Sequence, residues 1–155
     1  MQTAPTPEEI EEIMAPHLDR EGPLLPILHA VQANLGCVPE SAVPVIAKRL
    51  NLTAAEVHGV VSFYHDFRKA PAGRHVVKIC RAEACQSVGA TALTERALER
   101  LGIGWGGTTP DGGVTVEPVY CLGLCACGPA AMVDGRVVGR LDEAKLDAIL
   151  EEARA

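Results

Sequence analysis

Cys80-Arg81-Ala82-Glu83-Ala84-Cys85 is answered, after 35 intervening residues, by Cys121-Leu122-Gly123-Leu124-Cys125. Four residues separate the thiols of the first pair and three those of the second. Two close pairs joined by a long span give a fold four sulfurs that it can bring to one point. Thiolate is the ligand that soft and borderline metals select, and four of them suit either zinc or an iron–sulfur cluster. A four-thiolate zinc site would stabilise the fold and nothing more. A [2Fe–2S] cluster needs one pair per iron, a dry pocket and backbone N–H groups close to its sulfurs. Ala82, Ala84, Val88, Leu122, Leu124 and Ala126 are small or apolar, and Gly89, Gly123 and Gly128 permit close backbone approach, which favours the cluster. Spacing alone leaves both centres open.

Each pair follows a strand-like run. His75–Ile79 is β-rich and ends directly on Cys80, and Val114–Val119 ends just before Cys121. Ala131–Val133 and Arg136–Val138 flank Asp134-Gly135, the signal of a tight hairpin. A helix is expected to start near Ser87, bury Leu93, Ala97, Leu98 and Leu101, and stop at Gly102; a last one, capped by Asp142, buries Leu146, Ile149 and Leu150. The order β-α-β-β-α describes an α/β domain with both pairs at strand ends, where sites commonly sit.

The chain before this domain is helical. Thr6-Pro7-Glu8-Glu9 opens a first helix with a capping box, and Ile10, Ile13, Met14 and Leu18 recur on one face. Pro23 begins a second, with Leu24, Ile27, Leu28, Val31 and Leu35 facing inward and Gly36 placed to end it. A third is expected from about Ser41 to Leu50. Thr53 and Glu56 form the capping box of a fourth, which carries Val57, Val60, Val61 and Tyr64. Lys69–Arg74 contains the breakers Pro71 and Gly73 and reads as a linker. The expected division is a helical unit over residues 1–70 and a cluster domain over residues 71–155.

Composition excludes several functions. The net charge is −6, and the one stretch placed like a DNA-reading helix, Ala54–Tyr64, carries no Arg or Lys, so nucleic acid is not an expected partner. No apolar run approaches the ~18 residues of a membrane span. The N-terminal stretch from Met1 to Glu9 has neither a basic start nor an apolar core, so no signal peptide is expected. The chain is placed in the cytoplasm, where thiols stay reduced and paired cysteines favour metal over disulfide. Gly102-Ile103-Gly104-Trp105-Gly106-Gly107 has the spacing of a dinucleotide-binding loop, but it follows a helix instead of a strand and reads as a connection. Cys37 reads as an inert buried thiol and Cys127 as a non-ligand beside the second pair. None of the histidines (His17, His29, His58, His65, His75) lies in a cysteine loop.

Nearly the whole chain resembles the thioredoxin-like [2Fe–2S] subunits that partner NADH-binding flavoproteins. The resemblance runs through Leu28–Gln32 with Gly36, Val60–Tyr64 with Phe67, Val77–Cys80 with Cys85, Gly89-Ala90, Thr109–Gly112, Cys121–Cys125, Gly128-Pro129 and the Asp134-Gly135 hairpin. It implies a thioredoxin-like ferredoxin domain behind a small helical bundle, a [2Fe–2S] cluster, and Cys80, Cys85, Cys121 and Cys125 as its ligands. Glu83-Ala84 and Gln86 make the first motif most similar to the gamma subunit of NAD-dependent formate dehydrogenase. That resemblance implies an electron-transfer subunit docked on an FMN/NADH-binding flavoprotein and, through it, on a large formate-oxidising iron–sulfur and molybdenum subunit. NADH delivers a hydride and the cluster exchanges single electrons, so a flavin must divide the pair. The chain has no nucleophile–base constellation and is not expected to turn over substrate alone. The alternatives are the equivalent subunit of respiratory complex I or of an NAD-linked hydrogenase, a free-standing thioredoxin-like ferredoxin, or a zinc module.

Overall fold

Thr6 does cap the first helix. Its hydroxyl accepts from the Glu9 N–H at 3.3 Å while the Glu9 carboxylate accepts from the Thr6 N–H at 2.8 Å, and α1 runs Pro7–Met14. The computed structural model describes residues 4–154, so Met1–Thr3, the start of the stretch that lacks leader features, lie outside the described residues. The chain divides into two compact units, the first ending at Pro71 and the second beginning at Ala72.

In the first unit, α2 (Leu24–Leu35) ends on Gly36 at φ 78°, α3 spans Ala42–Leu50, and α4 (Ala54–Phe63) opens with the Thr53–Glu56 capping box. Ile10, Met14, Ile27, Leu28, Val31, Ile46 and Val57 form its buried aliphatic centre. Two expectations need correction. Leu18 packs on this core, but α1 stops at Met14 because Pro16 diverts the chain into a 3-10 turn over Ala15–His17. Tyr64 is not on the inner face of α4: it is the extended residue that ends the helix, and it is 43% exposed.

The second unit is a four-stranded mixed sheet in the order β2-β1-β3-β4. β1 (His75–Cys80) lies parallel to β2 (Val114–Val119) and antiparallel to β3 (Ala131–Val133), which forms the expected hairpin with β4 (Arg136–Val138). Asp134 at φ 47° and Gly135 at φ 87° make its two-residue turn. Pro118 lacks an N–H and sits in β2, the edge strand, where that loss is tolerated. The helix expected to start near Ser87 and stop at Gly102 starts at Ala90, and a short helix that was not expected precedes it. α5 spans Glu83–Ser87 and α6 spans Ala90–Leu101, separated by Gly89 at φ 93°, a left-handed angle that breaks helical continuity. Val77 and Ile79 of β1, with Val114 and Val116 of β2, pack against Leu93, Ala97 and Leu98 of α6 and Leu146 and Leu150 of α7 (Glu143–Glu152). None of the described helices is long and apolar enough to cross a membrane.

Candidate metal centre

The β1–β2 register places Cys80 directly beside Val119, so the two strands end level. Arg81 N–H continues the ladder one step further, donating to the Val119 carbonyl at 2.8 Å. Both cysteine motifs therefore leave the same end of the sheet. Cys80 is the last residue of β1, and Cys85 sits within α5 and not in a loop; each is only 2% exposed. Together with Ala90 and Ala130 they make a small core of their own, against which Ala82, Val119, Leu122 and Leu124 pack.

The second pair is held differently. Cys121 adopts φ 85°, a left-handed conformation that costs a non-glycine residue on the order of 1 kcal/mol, and Gly123 follows at φ 76°. These two reversals curl the loop tightly enough for the Gly123 N–H to donate to Cys121 Sγ at 3.4 Å. Cys121 Sγ and Cys125 Sγ lie 3.7 Å apart, and both residues are exposed. Cys125 begins a 3-10 turn that ends at Cys127.

The electrostatics link the two pairs. Burial pushes the Cys80 thiol up, but N–H donation from Ala82, the Cys85 thiol, and N–H groups of Cys121 and Leu122 outweigh it and hold Cys80 below the ordinary thiol value. Cys85 is pushed up by burial and by its hydrogen bond with Cys80, against an N–H of Ala130. Cys125 is pushed up by its hydrogen bond with Cys121 and by the nearby charges of Cys121 and Cys80. The charge of Cys80 thus opposes ionisation of Cys85 and that of Cys121 opposes ionisation of Cys125, and a bound cation is what offsets the accumulated charge. They stand as two pairs: among the described residues, no three His, Cys, Asp or Glu side chains form a group that could hold a single ion.

The residues present fit a two-iron cluster. Each pair is short, N–H groups of Ala82, Leu122, Gly123 and Ala130 point at sulfur, and the rim is aliphatic. Gly128 keeps space open, since a Cβ there would meet Val88 Cγ2 at 3.2 Å and Cys85 Sγ at 3.4 Å. Sequence reasoning could not name the N–H donors, because donation by the backbone leaves no trace in residue type. Two further thiols are present. Cys37 is buried in the helical unit, where desolvation raises its thiol. Cys127 is half-buried, its carbonyl engaged by the Arg140 N–H at 2.6 Å. His29 stacks on Phe67 with ring centroids 5.0 Å apart, and His75 pairs with Asp134 at 2.7 Å. The glycine loop after α6 leads through a turn to β2 with no helix behind it, as a connection should.

Fold and thiol set together define a thioredoxin-like α/β protein built around clustered cysteines. Residues 10–154 match the thioredoxin-like [2Fe–2S] ferredoxin family, and the chain belongs to it. Its cofactor is accordingly a [2Fe–2S] cluster, and the zinc alternative left open by spacing falls away. The chain is 38% identical over 125 residues to one subunit of the NADH-quinone oxidoreductase of Pseudomonas aeruginosa, covering 81% of this chain and 75% of that protein. It is 32% identical over 148 residues to a subunit of the NADP-reducing hydrogenase of Solidesulfovibrio fructosivorans, covering 96% of this chain and 86% of the relative. Among solved structures, an NAD+-reducing [NiFe]-hydrogenase in the air-oxidised state superposes with a TM-score of 0.69 at 29% identity. That match covers 84% of this chain and 22% of the hydrogenase chain.

Proposed function

We propose that this chain is the [2Fe–2S] electron-transfer subunit of a cytoplasmic NAD(H)-linked oxidoreductase complex, with Cys80, Cys85, Cys121 and Cys125 as ligands. One observation carries the reading: the buried pair and the exposed pair meet at one end of the sheet, so one edge of the centre is fixed in protein while the other reaches the surface. A carrier that must trade electrons with another subunit needs both properties. The bound cluster supplies one-electron chemistry. The chain's own residues hold the sulfurs, keep water from the Cys80–Cys85 side and present Cys121 and Cys125 outward.

The partner is an FMN/NADH-binding flavoprotein, which divides hydride into single electrons. Phe63 and Tyr64, 73% and 43% exposed and in edge contact at 5.1 Å, give the helical unit an apolar surface for docking. The relatives belong to NADH-quinone oxidoreductases and an NADP-reducing hydrogenase, and they support a complex of that type better than a formate dehydrogenase. The formate-linked alternative rests on Glu83-Ala84 and Gln86.

Purification of the full chain from its native cell, with mass spectrometry of its companions and metal analysis, tests the assignment. The expected result is a brown complex containing a flavoprotein, with quinone- or hydrogen-linked subunits. A molybdenum-bearing formate-oxidising subunit would select the formate reading, and a colourless zinc protein would overturn both. Phe63→Glu with Tyr64→Glu should lose the flavoprotein while keeping the visible spectrum.

A further inference from the structure

We propose that Arg81, stacked on Trp105, is a positioning charge that raises the reduction potential of the cluster from its Cys80 side. The inference rests on Cys80 being a ligand. A small cleft beside Cys80 is lined by Cys80, Arg81, Gln86, Thr94, Glu95 and Trp105, so one cysteine of the buried pair, an arginine and a tryptophan border one space. The Arg81 guanidinium carbon lies 4.9 Å from the centre of the Trp105 ring, within cation–π range. Its main chain is held on both sides: the N–H donates to the Val119 carbonyl at 2.8 Å, and the carbonyl accepts from Gln86 Nε2 at 2.5 Å.

The indole is held as firmly. Trp105 sits in the glycine loop that joins α6 to β2, and this loop is tied to the strand by Gly106 N–H to the Val116 carbonyl at 2.8 Å and Val116 N–H to the Gly107 carbonyl at 3.1 Å. A loop that looked like a simple connection thus presents an aromatic face to the residue next to a ligand. The indole keeps water from one face of the guanidinium, and a partly desolvated charge acts over a longer reach than a hydrated one.

The sign follows from charge. Taking up an electron adds one negative charge to the centre, and a fixed cation beside it stabilises that form. Guanidinium remains protonated at all working pH values, so the effect is independent of pH. Glu95 lines the same cleft with the opposite charge, but it is exposed on α6 and better screened, so its opposing effect is smaller.

The test is an EPR-monitored redox titration of the full-length, cluster-loaded chain, with iron and sulfide measured in parallel. Arg81→Met should lower the midpoint potential by the same amount at pH 6.5 and 8.5. Arg81→Lys should restore most of it, Trp105→Leu should give a smaller fall, and Glu95→Gln a rise. An unchanged potential in Arg81→Met, or an equal fall in Arg81→Lys, would overturn the inference. If Arg81→Met fails to retain its cluster, Trp105→Leu and Glu95→Gln decide, and no shift in either overturns it. Cys80→Ser separates the premises: full iron in that variant defeats the ligand assignment, whereas iron loss there with no Arg81 effect defeats only the inference drawn from charge.

Discussion

The helical unit and the sheet unit solve the problem of a core in different ways. The first is filled by aliphatic side chains, with Ile27, Leu28, Val31, Ile46 and Val57 fully buried and two capping boxes closing its helices. The second divides its interior between an aliphatic layer on the sheet and a smaller cluster whose buried members include two thiols. An aliphatic core is complete once folded. A core that contains sulfurs meant to be thiolates is complete only when a cation offsets their charge. The first unit should therefore be indifferent to the cofactor and the second dependent on it.

The strongest way to break this contrast is to remove a buried thiol proposed as a ligand. Cys85→Ser should abolish the cluster and destabilise the sheet unit by on the order of several kcal/mol, because binding free energy is also folding free energy. Trp105 is the chain's single tryptophan and lies in the sheet unit, so its fluorescence reports that half, while amide signals of α1–α4 report the other. Simultaneous melting of both halves in the variant would defeat the contrast. Next in size, Ile27→Ala should cost about 2–5 kcal/mol in the helical unit, the range for a fully buried aliphatic truncation, and leave the visible spectrum unchanged. Loss of colour would show that the halves are coupled.

A smaller effect is expected at a cap. Thr53→Ala deprives the Glu56 N–H of its acceptor at 3.2 Å and should cost about 1 kcal/mol, seen as a lower denaturation midpoint without loss of iron. The smallest concerns acid. A hydrogen bond from Thr109, the Gly113 N–H and the charge of Arg154 bring the exposed Asp111 carboxyl down to about 2. A depressed carboxyl stabilises the fold above its unfolded value of about 3.9, and that contribution disappears as pH falls toward 2. Asp111→Asn should therefore melt below the parent at neutral pH, with the gap closing between about pH 4 and pH 2. A gap that stays constant would assign the effect to geometry and not to charge.

What was legible in the sequence is what local chemistry encodes. Caps at Thr6, Thr53 and Asp142, the stop at Gly36 and the Asp134-Gly135 turn each depend on a few adjacent residues, and each stands where expected. The four thiols were visible as a spacing. The short α5 and the start of α6 after Gly89 were not, because Gly89 carries the same letter whether it takes an ordinary or a left-handed angle. The Arg81–Trp105 contact was also hidden: it joins residues from a strand end and a loop, with no periodicity between them. The exposure of Tyr64 escaped for a related reason, since helical spacing continues past the residue where the helix itself stops.

The paired ends of β1 and β2 act as a caliper. Six matched residue pairs, from His75 beside Val114 to Cys80 beside Val119, set the separation of the two cysteine motifs across a single strand spacing. Residues 86–113, between the first motif and β2, have no part in that measurement. The turn at Asp111 can lengthen or shorten without moving sulfur, whereas one residue added within either strand would displace a cysteine by the rise of a whole step, about 3.3 Å, longer than an iron–sulfur bond. Variation in length is free in one place and forbidden in the other, and the boundary between them is the last rung of the ladder.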